Sequence, residues 1–139
     1  MGLLIAIDPG HSKCGLLLAD SDGAIVIEGK VLAKSFVLEQ INSWMQIYPV
    51  ERIILGNGTS SNYWEEKLKY IVPIEVVNEN GTTLRARYRY WELRPPNRLL
   101  RCIPKRLRFP PGNLDAFAAL VLLEDYLSRK FIWPNPPRI

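Results

Sequence analysis

Apolar and polar positions along the chain fall into short continuous runs, alternating runs and helical stripes. Residues 3–8 are apolar up to a closing Asp8, which predicts a strand buried on both faces. Asp8-Pro9-Gly10-His11-Ser12 reads as a turn, 14–20 as a second strand, Ser21-Asp22-Gly23 as a tight turn and 24–32 as a third strand. Connections this short predict an antiparallel meander. After Ser35, a candidate N-cap, Val37, Leu38, Ile41, Trp44, Met45 and Tyr48 keep the helical period until Pro49. Residues 52–56 predict a fourth strand, 61–70 a helix, 74–78 a fifth strand, and the chain beyond Thr82 another helix. An Asn-Gly-Thr triplet lies beyond each of strands four and five, starting at Asn57 and Asn80. Prolines at 95, 96, 104, 110 and 111 break 94–111 into loop and short helix. Asn113 is placed to cap a last helix over 114–130, apolar on most of its faces.

Three antiparallel strands followed by strand–helix alternation predict an α/β fold: a mixed five-stranded sheet, order 3-2-1-4-5, with helices on both faces. Residues 1–130 are read as one domain and 131–139 as a proline-rich, extended tail. Strands one, four and five run parallel, so their C-terminal ends meet at one edge, where α/β proteins place their sites.

Composition narrows the partners. About half of the 139 residues are apolar, enough for one packed core. No apolar run is long enough to span a bilayer, the first one ends at Asp8, and Cys14 and Cys102 show no paired spacing. The expectation is a cytoplasmic chain with no membrane partner. The net charge of +4 is unevenly spread. Arg85, Arg87, Arg89, Arg94, Arg98, Arg101, Lys105, Arg106 and Arg108 are opposed within their segment only by Glu92, while the rest of the chain is net acidic. A basic segment on an acidic body points to a polyanion.

Three carboxylates carry the candidate chemistry. Asp8 ends the first strand, Glu79 follows the fifth, and Asp115 lies in the first turn of the last helix on the same face as Ala118, Ala119 and Leu122. A carboxylate on a core-facing stripe requires a partner or a metal. Three acids converging at one strand edge repel unless a cation lies between them, and Mg2+ (or Mn2+) suits oxygen ligands. Two such ions roughly 4 Å apart can activate a water and stabilise the leaving oxygen. Asp8 would bridge them, with Glu79 and Asp115 on either side. Gly10 and Gly15 flank His11-Ser12-Lys13 and would let backbone approach a phosphate, with Lys13 as a contact.

Ile7-Asp8-Pro9-Gly10-His11-Ser12-Lys13-Cys14-Gly15 resembles the opening strand and turn of ribonuclease H-like Holliday-junction resolvases. Asn78-Glu79-Asn80-Gly81-Thr82-Thr83 resembles the Asp-Glu-Arg-x-Thr-Thr motif of the YqgF (RuvX-like) branch, and Leu114-Asp115-Ala116-Phe117-Ala118-Ala119 resembles that branch's Asp-x-x-Ala-Ala helix. The resemblance implies a ribonuclease H-like fold, Mg2+- or Mn2+-dependent cleavage of branched DNA or 16S ribosomal RNA precursor, and often a homodimer. It makes Asp8, Glu79 and Asp115 the acidic triad, catalytic and metal-binding. Asn78 and Asn80 depart from the Asp and Arg of that motif, and the lost Arg removes a bidentate contact.

Arg85, Arg87 and Arg89 alternate with Ala86, Tyr88 and Tyr90, followed by Trp91. Cations neutralise phosphates and aromatics stack on unpaired bases, so Arg85, Arg87, Arg89, Arg98, Arg101, Lys105, Arg106 and Arg108, with Lys13, are the expected nucleic-acid contacts. Such alternation spreads round a helix, so some of these arginines must face protein. Two other readings stay open: a module that binds nucleic acid with weak or no cleavage, and a phosphate-binding half of an actin- or sugar-kinase-like protein. The latter requires two large lobes, for which the chain is short.

Overall fold

The computed structural model describes residues 2–58, 60–108, 110 and 113–137, without the Arg106 side chain. Arg106 as a nucleic-acid contact, Thr59 of the first triplet, Pro111 and the last two residues of the tail therefore lie outside the described residues. The sheet has the predicted order, β3-β2-β1-β4-β5. β1 (Leu3–Pro9), β2 (Lys13–Asp20) and β3 (Ile25–Ala33) form the antiparallel meander, and β4 (Val50–Gly56) and β5 (Ile74–Val77) run parallel to β1. β1 is central, which is why its apolar run does not alternate.

The period of two sends β1 into two cores. Leu4 and Ala6, with Leu17, Ala19 and Ile54, pack on one face against α3 (Thr82–Leu93) and α5 (Asp115–Leu127). Ile5 and Ile7, with Leu16, Leu18, Ile53 and Leu55, pack on the other against α1 (Val37–Ile47) and α2 (Ser61–Leu68). A short α4 (Arg98–Arg101) and a 3-10 turn (Lys105–Leu107) occupy the proline-broken segment, as loop and short helix. Among the described residues no helix is long and apolar enough to cross a membrane.

Two caps differ from expectation. Ser35 falls inside a 3-10 turn (Lys34–Phe36), and Phe36, with a helical backbone, takes the N-cap position of α1 without a side-chain bond. The extended backbone that lets a serine hydroxyl reach the first turn is absent there. Asn113 does accept a hydrogen bond from the Asp115 N–H, at 3.0 Å, but Leu114 intervenes and α5 begins at Asp115.

Residues 131–133 are continuous with the domain. Phe131 and Trp133 are buried in the α3–α5 core, and Ile132 exchanges backbone hydrogen bonds with Ala24 and Val26 at 2.8 Å, a single parallel bridge beside the start of β3. A buried ion pair holds this return. Arg89 on α3 donates to both Glu124 oxygens on α5 and to the Phe131 carbonyl, and Glu124 also accepts from the Phe131 N–H. Both side chains are about one-tenth exposed, so removing one leaves the other's charge buried. Glu124→Ala is expected to cost about 3–5 kcal/mol in a denaturant titration. Lys130→Ala, which breaks the solvent-exposed pair with Glu92, should cost under about 1 kcal/mol.

Candidate active site

Asp8 lies near the end of β1, opposite Gly15 of β2. Glu79 comes two residues after the end of β5, with β4 between the two strands. Strand spacing alone puts roughly 10 Å between β1 and β5. Glycines close that gap. A Cβ on Gly56 would stand 2.2 Å from Glu79 Oε1, and one on Gly58 would stand 2.9 Å from Glu79 Oε2 and 2.9 Å from the Pro9 carbonyl oxygen. The Glu79 side chain therefore crosses the end of β4 through space that any side chain at 56 would fill.

The backbone of Glu79 is tied on both sides. Its N–H donates to Asn57 Oδ1 at 3.0 Å, and its carbonyl accepts from the Thr82 N–H at 3.1 Å and the Thr82 hydroxyl at 2.9 Å. Gly81, at φ +72°, supplies the left-handed residue before α3, a conformation glycine adopts at little cost. Asn57 and Thr82, one from each Asn-Gly-Thr triplet, thus serve the same acid. Residue type alone does not assign Asn57 this role; the repeat of the triplet after β4 and β5 is the sequence signal for it. Asn78 and Asn80 close their loop on one another, Asn78 Oδ1 accepting from the Asn80 N–H at 3.0 Å.

Asp115 is placed by Gly15. A Cβ there would lie 1.9 Å from the Asp115 carbonyl oxygen, so only glycine lets the start of α5 rest on β2 beside Asp8. Gly10 is equally occupied, since its Cβ would meet the Lys13 carbonyl oxygen at 2.4 Å and its N–H donates to that oxygen at 2.9 Å. Both glycines are thus spent on close contacts within the protein, which corrects the expectation that they open the backbone to phosphate. Lys13 and His11 are exposed.

The electrostatics follow the geometry. Burial, then a hydrogen bond shared with Glu79, then the charges of Glu79 and Asp115 push the Asp8 carboxyl up to about 8. Burial also raises Asp115, opposed by a hydrogen bond from Asn113 and the charge of Lys13. Glu79 Oε1 is buried and, once the Asp8 carboxyl is ionised, has no hydrogen-bond donor among the described residues. An acceptor-only oxygen without a donor, beside a second carboxyl, is the donor set a hard divalent cation takes. Among the described residues no three His, Cys, Asp or Glu side chains stand close enough to hold one ion. Asp8 and Glu79 are brought together, and Asp115 reaches them through its charge.

The basic segment divides. Arg89 is buried in its pair with Glu124, which removes it from the expected nucleic-acid contacts. Arg108 donates to the carbonyls of Leu100, Ile103 and Arg101 and so braces the loop; its guanidinium is committed to protein. Arg85 pairs with Asp125, Arg101 donates to the Pro96 carbonyl, and Arg87 is half-buried and partnered. Arg98, Lys105 and Lys13 are exposed.

The raised Asp8 carboxyl makes stability depend on pH. Its folded value lies above the unfolded value of about 3.8, so the stability contribution of the protonated carboxyl is full below about pH 4 and falls as pH rises to about 8, where the folded group itself ionises. In chelator, Asp8→Asn is expected to melt a few degrees above the unsubstituted protein near pH 8 and to match it near pH 4, read by calorimetry. Equal melting temperatures near pH 8 would contradict the shared proton.

No family model matches the sequence. Two curated relatives do, over nearly their whole length. One from Thermus thermophilus, named as a putative pre-16S rRNA nuclease, is 28% identical over 89% of this chain and 96% of its own. Another of the same name, from Porphyromonas gingivalis, is 27% identical over 99% and 100%. Among solved structures, Thermus thermophilus RuvC in complex with a Holliday junction substrate aligns with TM-score 0.49 and 14% identity, covering 95% of this chain and 100% of that one. The chain is thus similar from end to end to two proteins named as putative pre-16S rRNA nucleases, and its sheet has the order β3-β2-β1-β4-β5 expected from the sequence.

Proposed function

We propose that this chain is a metal-dependent nuclease that hydrolyses phosphodiester bonds in structured nucleic acid, with branched DNA and 16S ribosomal RNA precursor as the substrate classes. The names of the two curated relatives support hydrolysis of nucleic acid. The single observation that carries the proposal is the buried Glu79 Oε1 held against Asp8 across two glycines.

Asp8 and Glu79 would hold Mg2+ or Mn2+, with Asp115 completing the acidic edge. Such a cation, when bound, polarises a phosphate and lowers the pKa of a coordinated water. The remaining contributions belong to the chain. Asn57 and Thr82 fix the Glu79 backbone, so its carboxylate does not have to be ordered at the moment of reaction. Gly15 sets Asp115 beside Asp8. Lys13, exposed and close enough for its charge to act on Asp115, can neutralise a phosphate at the rim.

In a nuclease assay on a four-way DNA junction and a precursor rRNA fragment, Asp8→Asn and Glu79→Gln are each expected to lower cleavage roughly a hundredfold or more. Gly56→Ala removes no carboxylate, yet should lose cleavage comparably because its methyl displaces Glu79. Full activity of Gly56→Ala would contradict the role given to the glycine gap. The second reading, a binding module, is favoured by Asn78 and Asn80, which bond to each other instead of offering a cation to substrate. Binding without cleavage in either Mg2+ or Mn2+ would establish it.

A further inference from the structure

The chain from Arg94 to Arg108 returns over α3 and, with it, encloses a cavity of about 580 Å3 lined by Tyr88, Trp91, Glu92, Pro96, Lys105 and Arg108. The volume is that of a small-ligand pocket. Hydrogen bonds within the protein set its walls. The Trp91 indole N–H donates to the Arg108 carbonyl at 3.2 Å, the Arg108 guanidinium holds the three carbonyls described above, and Arg101 Nε donates to the Pro96 carbonyl at 3.2 Å. Tyr88 and Trp91 are half-buried, keeping part of each side chain open to the surface, and Pro96 adds a third apolar wall.

The chemistry of the lining selects a nucleotide. Aromatic and proline surfaces take a flat apolar ring. Lys105, exposed on the same cavity, supplies a cation for a phosphate. Glu92, about half exposed and held by Lys130, offers carboxylate acceptors for the amino or imino hydrogens of a base edge. The exposed cations of the surrounding segment, Arg98 and Lys105, favour a polyanionic strand over a neutral small molecule.

We propose that this cavity binds one unpaired nucleotide of the substrate strand, its base against Tyr88 and Trp91 and its phosphate at Lys105; the inference rests on the nuclease reading of the Asp8–Glu79 site. Glu79 lies just before α3, and Trp91 is ten residues beyond Gly81, about 15 Å along the helix axis. A strand reaching both places has a short unpaired stretch beside the bond to be cut. The substrate class is therefore nucleic acid with a single-stranded segment adjoining the cleavage position, in preference to continuous duplex.

The test uses the full chain as Asp8→Asn, in chelator, so that binding is measured without cleavage. The probes are a short labelled single strand and the same sequence in a blunt duplex, followed by anisotropy and by intrinsic fluorescence. Trp44, Trp64 and Trp133 are buried and Trp91 is half-buried, so quenching by a stacked base reports on Trp91. The single strand is expected to bind more tightly than the duplex and to quench, and Trp91→Phe should abolish the quenching. Tyr88→Ala and Lys105→Ala, neither of which removes a fully buried side chain, should each weaken single-strand binding, Tyr88→Ala by about tenfold with duplex binding unchanged and Lys105→Ala by more for the single strand than for the duplex. Equal binding of the two probes without quenching, or Tyr88→Ala and Lys105→Ala proteins that bind the single strand normally, would overturn the proposal. Quenching by an acidic peptide and not by nucleic acid would overturn it too and mark a protein-docking cavity. If these variants are silent while the unsubstituted protein cleaves in Mn2+, the cavity proposal alone fails; if the chain binds and cleaves no nucleic acid, the nuclease reading fails with it.

Discussion

Two carboxyl groups held together in a half-buried place repel once both are ionised, and the structure around Asp8 and Glu79 is arranged to hold them so. The arrangement begins with sheet order. β4 separates β1 from β5, and only a side chain crossing the end of β4 can join their acids. Gly56 and Gly58 leave that crossing open, and Asn57 between them holds the Glu79 backbone. Gly15 does the corresponding work on the other side, admitting the first turn of α5 and with it Asp115. A methyl group at 15 or 56 would be felt at the acids before it was felt in the hydrophobic cores.

The basic segment combines two tasks that its charge alone does not separate. Arg89 crosses from α3 to α5 and fixes the return of the chain at Phe131; Arg108 braces the proline-broken loop. Buried or carbonyl-bound guanidiniums of this kind specify geometry and contribute little to attracting a polyanion. The exposed Lys13, Arg98 and Lys105 carry the field that reaches solvent. Structural arginines thus build a surface on which fewer exposed cations face a ligand.

Sheet order was legible because it follows from period and connection length: the uninterrupted 3–8 run marked a central strand, and the short turns at 9–12 and 21–24 forced a meander. The crossing of Glu79 over small residues was legible in outline from the glycines at 56 and 58. What Gly10 and Gly15 do was not, because a glycine that faces a phosphate and one that faces another segment's backbone look alike in sequence; only the packing of α5 on β2 decides. The partners of Arg89 and Arg108 were hidden for the same reason, since Glu124 and the 100–103 carbonyls are brought to them by tertiary folding. Ser35 looked like a cap because the residue type is favoured there, but the 3-10 turn removes the extended backbone that a cap requires.

The central claim is that Asp8 and Glu79 form a cation site, and binding of Mn2+ to the isolated protein, followed by electron paramagnetic resonance, tests it most directly. The account predicts saturable binding that weakens by about tenfold or more in Glu79→Gln and is lost in Asp8→Asn. Undiminished binding in a protein carrying both substitutions would contradict it, as would an unsubstituted protein that binds no Mn2+.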